Sequence, residues 1–444
     1  MRKKAVLIVI VALSLIAFLI YKSFFIVPKS KVRIIDRLPD TSYKGKIHVL
    51  DFSKNIQRNL KEMQVPFRDF LSPDFLLEQS KKYGLNIQNP IYLFGENETE
   101  WGVIIEVNDK EKLSKGLLKI KKIFDLKDTV INKKKLIHHP ISNIKIYKQP
   151  DLILLYMGND FFPILSKVTN AKKGDVSTSW KEFLEKPIAS REKVIISNTS
   201  KEVKSIGFKE IVLSHEFDST YFKIKTKLSR NFPINISLKN KGVSFKKGKY
   251  TNLFANIHLD ISKFRNTVDE SLLKFIKKLT KNIGFPITEF INAWEGDLCI
   301  LRGGFYKMSK EYFETEMDDN FNPIQVKKIK KIKVPEFSVL LTLNENKEKF
   351  FNALINKGLL RKEEEYYYFL FSPALRLSEE GNQLIFYSGK YITPLIENEK
   401  NKLMIDYKSN KIEFSLDSIK QNEIFGGAAL PLNPNTNPLT ILKD

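Results

Sequence analysis

Beyond residue 45, apolar residues recur in two rhythms that alternate along the chain. Short runs such as Trp101–Asn108 have the length and composition of buried or half-buried strands. The residues that follow place Leu113, Leu117, Ile120 and Phe124 on one face at 3.6-residue spacing, which predicts an amphipathic helix. Strands with short connections outnumber helices, so the pattern predicts an α+β fold with a mainly antiparallel sheet.

The same pattern occurs twice, because four segments return in the same order later in the chain. The pairs are Ile47–Lys54 with Ile257–Lys263, Trp101–Asn108 with Phe337–Asn344, Asp151–Gly158 with Gln383–Gly389, and Val212–Ile224 with Leu403–Phe414. Any one pair arises easily by chance, but four in one order indicate duplication. We therefore predict two tandem copies of a sheet-plus-helices unit, at residues 46–250 and 251–444.

The second copy differs from the first by an insertion at residues 305–335. Its first part is acidic, from Glu311 to Asp319, and its second part is basic, from Lys327 to Lys333. Long connections in compact domains are often functional. A solvated insertion and a partner-binding loop both fit the composition, whereas the carboxylates lack the spacing of an EF-hand calcium loop.

The chain begins with a strongly apolar stretch. No charge occurs from Ala5 to Ile20, and the apolar character continues through Tyr21 to Val27, interrupted only by Lys22 and Ser23. A helix over this stretch would be about 34 Å long, enough to cross about 30 Å of hydrocarbon. We predict a transmembrane anchor at residues 1–27 and a polar stem at residues 28–45.

The charges around this stretch predict its orientation. Arg2, Lys3 and Lys4 favour a cytoplasmic N-terminus in the inner (plasma) membrane, with the globular part periplasmic or extracytoplasmic. Bulky residues occupy the place where a signal peptidase would need small ones, which favours an uncleaved anchor over the alternative of a cleaved signal peptide.

The chain is basic, with 74 Lys and Arg against 51 Asp and Glu and a net charge of +23. The basic residues are dispersed, so they do not form the dense arm typical of specific nucleic-acid binding. Lysine-rich background composition explains the excess, and attraction to an anionic envelope polymer or lipid is the alternative. We expect the partners to be the membrane, through the N-terminal helix, and a protein or an anionic polymer.

No catalytic or cofactor-binding motif is found. The chain lacks a Gly-x-Ser-x-Gly elbow and a His-Glu-x-x-His helix, and a single cysteine excludes Cys-x-x-Cys pairs. We therefore predict no catalytic residue, no metal ligand and no cofactor.

The candidate site residues with the most distinctive placement are His48 with Asp51 and His258 with Asp260, which occupy matching places in the two copies. In an extended strand His258 and Asp260 share a face, whereas His48 and Asp51 do so only across a bulge. A symmetric His/Asp site is one interpretation, and inherited strand residues with satisfied hydrogen bonds are the interpretation that we favour.

The arrangement resembles uncharacterised bacterial envelope proteins of domain-of-unknown-function type, which combine an N-terminal anchor with a duplicated α+β region. The resemblance rests on Gly84–Phe94, where a helix ends and a strand begins, and on Trp101–Asn108, where a strand leads to a capped helix. It implies a single-pass envelope protein and supplies no catalytic residues.

The sequence favours a non-catalytic binding or scaffold protein of the cell envelope. Two alternatives stay open: a hydrolase acting on an envelope polymer or peptide, and a protein that binds a lipid or another hydrophobic ligand in a groove between the repeats. A convergent pocket with buried carboxylates or with His48 and His258 would favour the hydrolase, and a long apolar groove between the repeats would favour the lipid-binding protein.

Overall fold

The computed structural model describes residues 32–431 with internal gaps, the longest at 63–71 and within 267–281. Of the described residues, 49% lie in strands and 24% in helices. The antiparallel sheet is present, but the predicted fold class as a whole, an N-terminal transmembrane helix followed by two sheet-plus-helices units, is wrong, because the described structure is mostly sheet and shows no such helix. Within the described part of the chain, no helix has the length and apolar character needed to cross a bilayer.

The predicted anchor falls in a part of the chain that the structure does not describe. Residues 1–31, which include Ala5, Ile20, Tyr21, Lys22 and Val27, lie outside the described residues.

The chain divides into two compact units, unit 1 at Met1–Ser200 and unit 2 at Lys201–Asp444. This division follows contacts, whereas the boundary predicted at residues 250 and 251 follows sequence similarity. Residues 201–250, assigned by the sequence to the first copy, belong to the second compact unit.

Unit 1 is built from nine described strands and five described helices. The strands are β1 Tyr43–Ile47, β2 Leu85–Asn86, β3 Ile91–Asn97, β4 Glu100–Val107, β5 Lys127–Ile131, β6 Lys134–His139, β7 Ile144–Lys148, β8 Leu152–Met157 and β9 Val194–Asn198. The helices are α1 Val49–Glu62, α2 Pro73–Lys82, α3 Lys110–Ile123, α4 Phe161–Asn170 and α5 Thr178–Glu185, and a 3₁₀ turn spans Ile34–Arg37.

The strands of unit 1 form one antiparallel sheet in the order β9-β1-β3-β4-β8-β7-β6-β5, with β2 added at the end of β4. Helix α3 packs on this sheet by burying Leu113 and Leu117 against Val107, Ile146 and Ile153. The predicted amphipathic face is therefore correct in its first two turns.

Unit 2 contains the remaining elements. The strands are β10 Glu210–Phe217, β11 Tyr221–Ser229, β12 Ser237–Leu238, β13 Gly242–Ser244, β14 Thr251–Asp260, β15 Trp294–Met317, β16 Pro323–Leu343, β17 Leu360–Glu363, β18 Tyr366–Phe369, β19 Arg376–Glu380, β20 Gln383–Ser388, β21 Leu395–Glu397, β22 Asn401–Tyr407, β23 Asn410–Lys420 and β24 Glu423–Pro431. The described helices are α6 Lys201–Ser205, α7 Ser262–Asn266, α8 Ile287–Ala293 and α9 Lys347–Asn356.

The large sheet of unit 2 is also antiparallel, in the order β10-β11-β24-β23-β22-β14-β15-β16-β20-β19. Each of its faces carries a separate core. One face packs Leu341, Leu384 and Phe386 against α8 and α9, and the other packs Cys299, Leu340 and Ile385 with Phe245.

The two units share one strand order. The series β9-β1-β3-β4-β8-β7 in unit 1 has the counterpart β22-β14-β15-β16-β20-β19 in unit 2. Helices α3 and α9 follow β4 and β16 at matching places. Two of the four matched segments fall on corresponding strands, β4 with β16 and β8 with β20, and a third spans a strand end and the start of the next helix in both units. The fourth does not correspond, because the counterpart of β22 in this order is β9 and not β10.

Within the insertion, residues 305–317 and 323–335 pair as the two strands of a hairpin and are not a loop. Strand β14 pairs with β15 only as far as Gly303, and β20 pairs with β16 only as far as Phe337. Beyond these points β15 and β16 pair with each other alone, from Phe305 opposite Pro335 to Met317 opposite Pro323. We call this two-stranded projection, residues 305–335, the arm; thirteen residue pairs at about 3.3 Å each make it roughly 40 Å long.

Cross-strand pairing explains the acidic-then-basic order of the arm's sequence. Lys327 lies 2.7 Å from Glu311, and Lys328 lies 2.8 Å from Glu314 and also contacts Glu316. The acidic run and the basic run are thus the two strands of one hairpin.

A phenylalanine-lined cavity as candidate functional site

Unit 2 contains an apolar cavity of about 490 Å³ between its sheet and helices α8 and α9. Its lining consists of Phe285, Phe290, Leu298, Arg302, Pro335, Phe337, Val339, Leu341, Phe350, Phe351, Leu354, Phe369, Leu384 and Phe386. Seven of these are phenylalanines, and Arg302 is the one charged member. All of them belong to unit 2.

Strand alternation explains why one wall is apolar. Phe337, Val339 and Leu341 occupy every second position of β16 and therefore point to the same face of the sheet. Leu340, between them, points to the opposite face and belongs to the other core. Leu298 of β15, which pairs with Leu341, extends this wall sideways.

Aromatic rings close the cavity from the helical side. The ring of Phe290 on α8 lies 5.4 Å from that of Phe350 on α9, and Phe285 contacts both at 5.5 and 6.0 Å. Deeper in the sheet, Phe369 meets Phe386 edge to face at 4.8 Å. These spacings are those of favourable aromatic pairs, so the rings support one another and hold the wall in place.

Arg302 places one cation at the edge of this apolar space. It lies directly opposite Phe337 in the β15–β16 ladder and is exposed. Among the described residues, no carboxylate lies within ion-pair distance of its guanidinium. The guanidinium is therefore available to a ligand, and its planar fork suits a carboxylate or a phosphate.

The predicted histidine–aspartate pairs are not formed as expected. In unit 2, Nδ1 of His258 lies 2.8 Å from Oδ1 of Asp297, not from Asp260. Asp260 is exposed and instead accepts hydrogen bonds from the backbone N–H and hydroxyl of Ser262. Asp260 thus accepts hydrogen bonds from the first residue of helix α7 and has no hydrogen bond with His258.

Asp297 is the centre of a buried polar cluster. It binds His258 through one carboxylate oxygen and Lys239, at 3.0 Å, through the other, while its backbone N–H donates to the hydroxyl of Thr342. Burial by itself would raise the pKa of Asp297, but the hydrogen bonds from His258 and Lys239 and the charge of Lys239 outweigh it and hold that pKa below its usual value.

The imidazole of His258 is closed to solvent, because the residue is only 1% exposed. Gly242 covers its ring so closely that a Cβ there would lie 1.8 Å from Nδ1. The contacts of Asp297 with His258, Lys239 and Thr342 join strands β14, β15 and β16 to the segment that precedes β13.

In unit 1 the corresponding histidine has a different setting. His48 is half-buried between β1 and α1, and its pKa is lowered by burial and by the nearby charges of Lys46 and Lys193. The carboxylate of Asp51 lies 3.0 Å from Lys193. The two histidines therefore do not form equivalent sites, and they belong to different units.

Sequence reasoning missed both the cavity and Asp297. Asp297 is 39 residues from His258 and becomes its neighbour only through the β14–β15 register. The cavity had a weak signal in the helix Lys347–Asn356, where Phe350, Phe351 and Leu354 make an unusually aromatic face. Within the described residues, no group of three or more His, Cys, Asp or Glu side chains is arranged to hold a metal.

Comparison with known proteins adds little. No protein-family profile matches the chain, and no curated protein matches it. Among solved structures, crystal form I of TP0453 has a TM-score of 0.30 and 10% identity, covering 47% of this chain and 82% of that one. Crystal form III of TP0453 gives 0.31 and 8%, covering 46% and 83%. Similarity at this level supports no conclusion about fold or function.

Proposed function

We propose that unit 2 is a non-catalytic binding module for an amphiphile whose apolar chain fills the phenylalanine-lined cavity and whose anionic end meets Arg302. The observation that supports this is the combination of a large apolar cavity with a single unpaired cation at its edge. Small-molecule sites typically have cavities of about 300–1,000 Å³, mostly apolar, with a few polar groups that fix orientation.

The lining argues against catalysis at this place. It holds no carboxylate, histidine, serine or cysteine that could act as a nucleophile or a general base. The ligand-binding role replaces the groove between repeats that the sequence suggested, since every lining residue lies in unit 2. The extracytoplasmic location and the scaffold role stay predictions.

Isothermal titration of the full chain with saturated fatty acids of increasing length tests the proposal. Each added methylene should strengthen binding about fourfold until the cavity is full, because burying one methylene is worth about 0.8 kcal/mol. Val339→Trp should abolish binding by filling the cavity, whereas Val130→Trp, at an exposed position in unit 1, is the matched control and should not.

Removal of the cation tests the polar end separately. Arg302→Gln should weaken decanoate binding about tenfold, because the carboxylate loses its ion pair with the guanidinium. Decanol has no charge, so its binding should be unchanged. Affinity that is independent of chain length, or equal in the Val339→Trp and Val130→Trp proteins, would contradict the proposal.

A further inference from the structure

The wall of the cavity continues into the arm without interruption. The β15–β16 ladder contains a bulge between Arg302 and Phe305. Three residue steps along β15 correspond to two along β16, so the extra residue lies in β15. The alternation of β16 is therefore unbroken, and the face that presents Leu341, Val339 and Phe337 goes on to present Pro335, Lys333 and Lys331.

Three lysines lie on this face just outside the cavity. Lys307 of β15 is directly opposite Lys333, and Lys331 follows one row further out, opposite Ser309. Like charges directly opposite each other on an antiparallel pair are destabilising. All three side chains are exposed, so an anion of suitable length can approach them.

The pairing of the arm's lysines depends on their distance from the cavity. Further out on the arm, Lys327 and Lys328 are neutralised by glutamates. For Lys307, Lys331 and Lys333, no carboxylate of the described residues lies within ion-pair distance. Glu311, the acid nearest to them on the same face, is engaged by Lys327. Lys310 and Lys330 on the opposite face of the arm also lack a carboxylate partner among the described residues, so what distinguishes Lys307, Lys331 and Lys333 is that their face continues the wall of the cavity.

The spacing of these charges defines the ligand that would use them. At about 3.3 Å per residue, Lys333 lies roughly 13 Å beyond Phe337 along the strand and Lys331 roughly 20 Å beyond it. A single carboxylate at Arg302 reaches neither lysine. We propose, building on the function proposed above, that the ligand is an amphiphile whose head carries two or more phosphate-like charges extended along this lysine face.

Titration of the full chain with three probes of one chain length separates the two proposals: decanol, decanoate and decyl diphosphate. The test variant is Lys307→Gln with Lys333→Gln. The matched control is Lys310→Gln with Lys330→Gln, which removes a cross-strand lysine pair from the opposite face of the same arm. Both variants lower the net charge equally.

The wild-type chain should bind decyl diphosphate more tightly than decanoate. The test variant should lose about 25-fold in affinity for decyl diphosphate, at about fivefold per lysine, and nothing for decanol. The control variant should change by less than about twofold for all three probes. Raising the salt concentration should weaken decyl diphosphate binding and leave decanol binding unchanged.

The outcomes are distinguishable. If decanol binds but decyl diphosphate is no tighter than decanoate, or if the test and control variants lose equally, the extended anionic head is wrong and the cavity proposal stands. If decanol does not bind to the wild-type chain, both proposals are wrong.

Discussion

At the scale of single residues, the structure depends on contacts between positions far apart in the sequence. The sequence placed His258 correctly on a strand but paired it with Asp260, two residues away, because short-range alternation was the available argument. The actual partner, Asp297, is brought in by strand register. In unit 1, the side chain that caps helix α3 belongs to Asp109, the residue that follows Asn108 at the end of the matched segment.

Asp297→Asn should lower the free energy of unfolding by about 3 kcal/mol at neutral pH, because it leaves Lys239 in a half-buried place without its counter-charge. The pKa of Asp297 is lower in the folded than in the unfolded chain, so its stabilisation is present above about pH 4 and is lost as the pH falls through the folded value. The difference between wild type and variant in urea unfolding should therefore be constant from about pH 5 to 7 and shrink below about pH 4.

The control for this variant is Asp260→Asn, which changes an exposed carboxylate that only caps α7 and should cost about 0.5 kcal/mol or less. Equal losses of unfolding free energy for the two variants would show that the buried carboxylate of Asp297 stabilises the fold no more than the exposed one of Asp260.

Gly242→Ala should destabilise unit 2 by about 2 kcal/mol, because the added methyl group would overlap the imidazole of His258. A methyl group added at Gly248 would have the hydroxyl oxygen of Thr251 as its nearest neighbour, 3.8 Å away. Gly248→Ala should accordingly leave the thermal midpoint unchanged, and a similar midpoint for both variants would contradict this packing.

At the scale of elements, periodicity predicted the existence of strands and helices well and their lengths poorly. Helix α3 buries Leu113 and Leu117 as predicted, but it ends at Ile123, and Phe124 beyond it is 59% exposed. The arm was expected to be a loop because its charges mask the alternation: Lys and Glu stand where a half-buried strand would have apolar residues. Strand β16 has 21 residues, whereas strands usually have five or six, so a strand of this length was not expected from the sequence.

Replacing residues 306–334 of the arm by Asn-Gly, a sequence suited to a tight hairpin turn, should leave unit 2 folded. The removed strands pair only with each other, so the thermal midpoint should change by no more than a few degrees. Decanol binding should persist, since Arg302, Pro335 and Phe337 remain, while the preference for decyl diphosphate should disappear. Loss of cooperative unfolding in this variant would mean that the arm belongs to the core.

At the scale of the whole molecule, sequence similarity and spatial contacts divide the chain at different places. The shared strand order of the two units is what an ancestral duplication produces, and the duplication stays a prediction of the sequence. The sequence assigns residues 201–250 to the first copy because Val212–Ile224 resembles Leu403–Phe414, whereas strands β10 and β11 in this range join the sheet of unit 2. No motif or repeat in the sequence indicates the cavity, because its lining residues, which lie between residues 285 and 386, come together only by tertiary packing.

Because the cavity is confined to unit 2, damage to the core of unit 1 should leave ligand affinity intact. Trp180 is fully buried, packs edge to face against Phe183 and donates its indole N–H to the carbonyl of Pro39. Trp180→Ala should cost unit 1 about 3–5 kcal/mol. Decanoate titration at a temperature where both units are still folded should give the wild-type dissociation constant, and a marked loss of affinity would contradict a self-contained site.

The most direct test of the central claim is a crystal structure of the chain with 10-bromodecanoate, whose bromine marks the end of the apolar chain by anomalous scattering. We expect the bromine between Phe350 and Leu384 inside the cavity, with the carboxylate beside Arg302. Bromine at another place on the protein, with the cavity empty, would contradict the account.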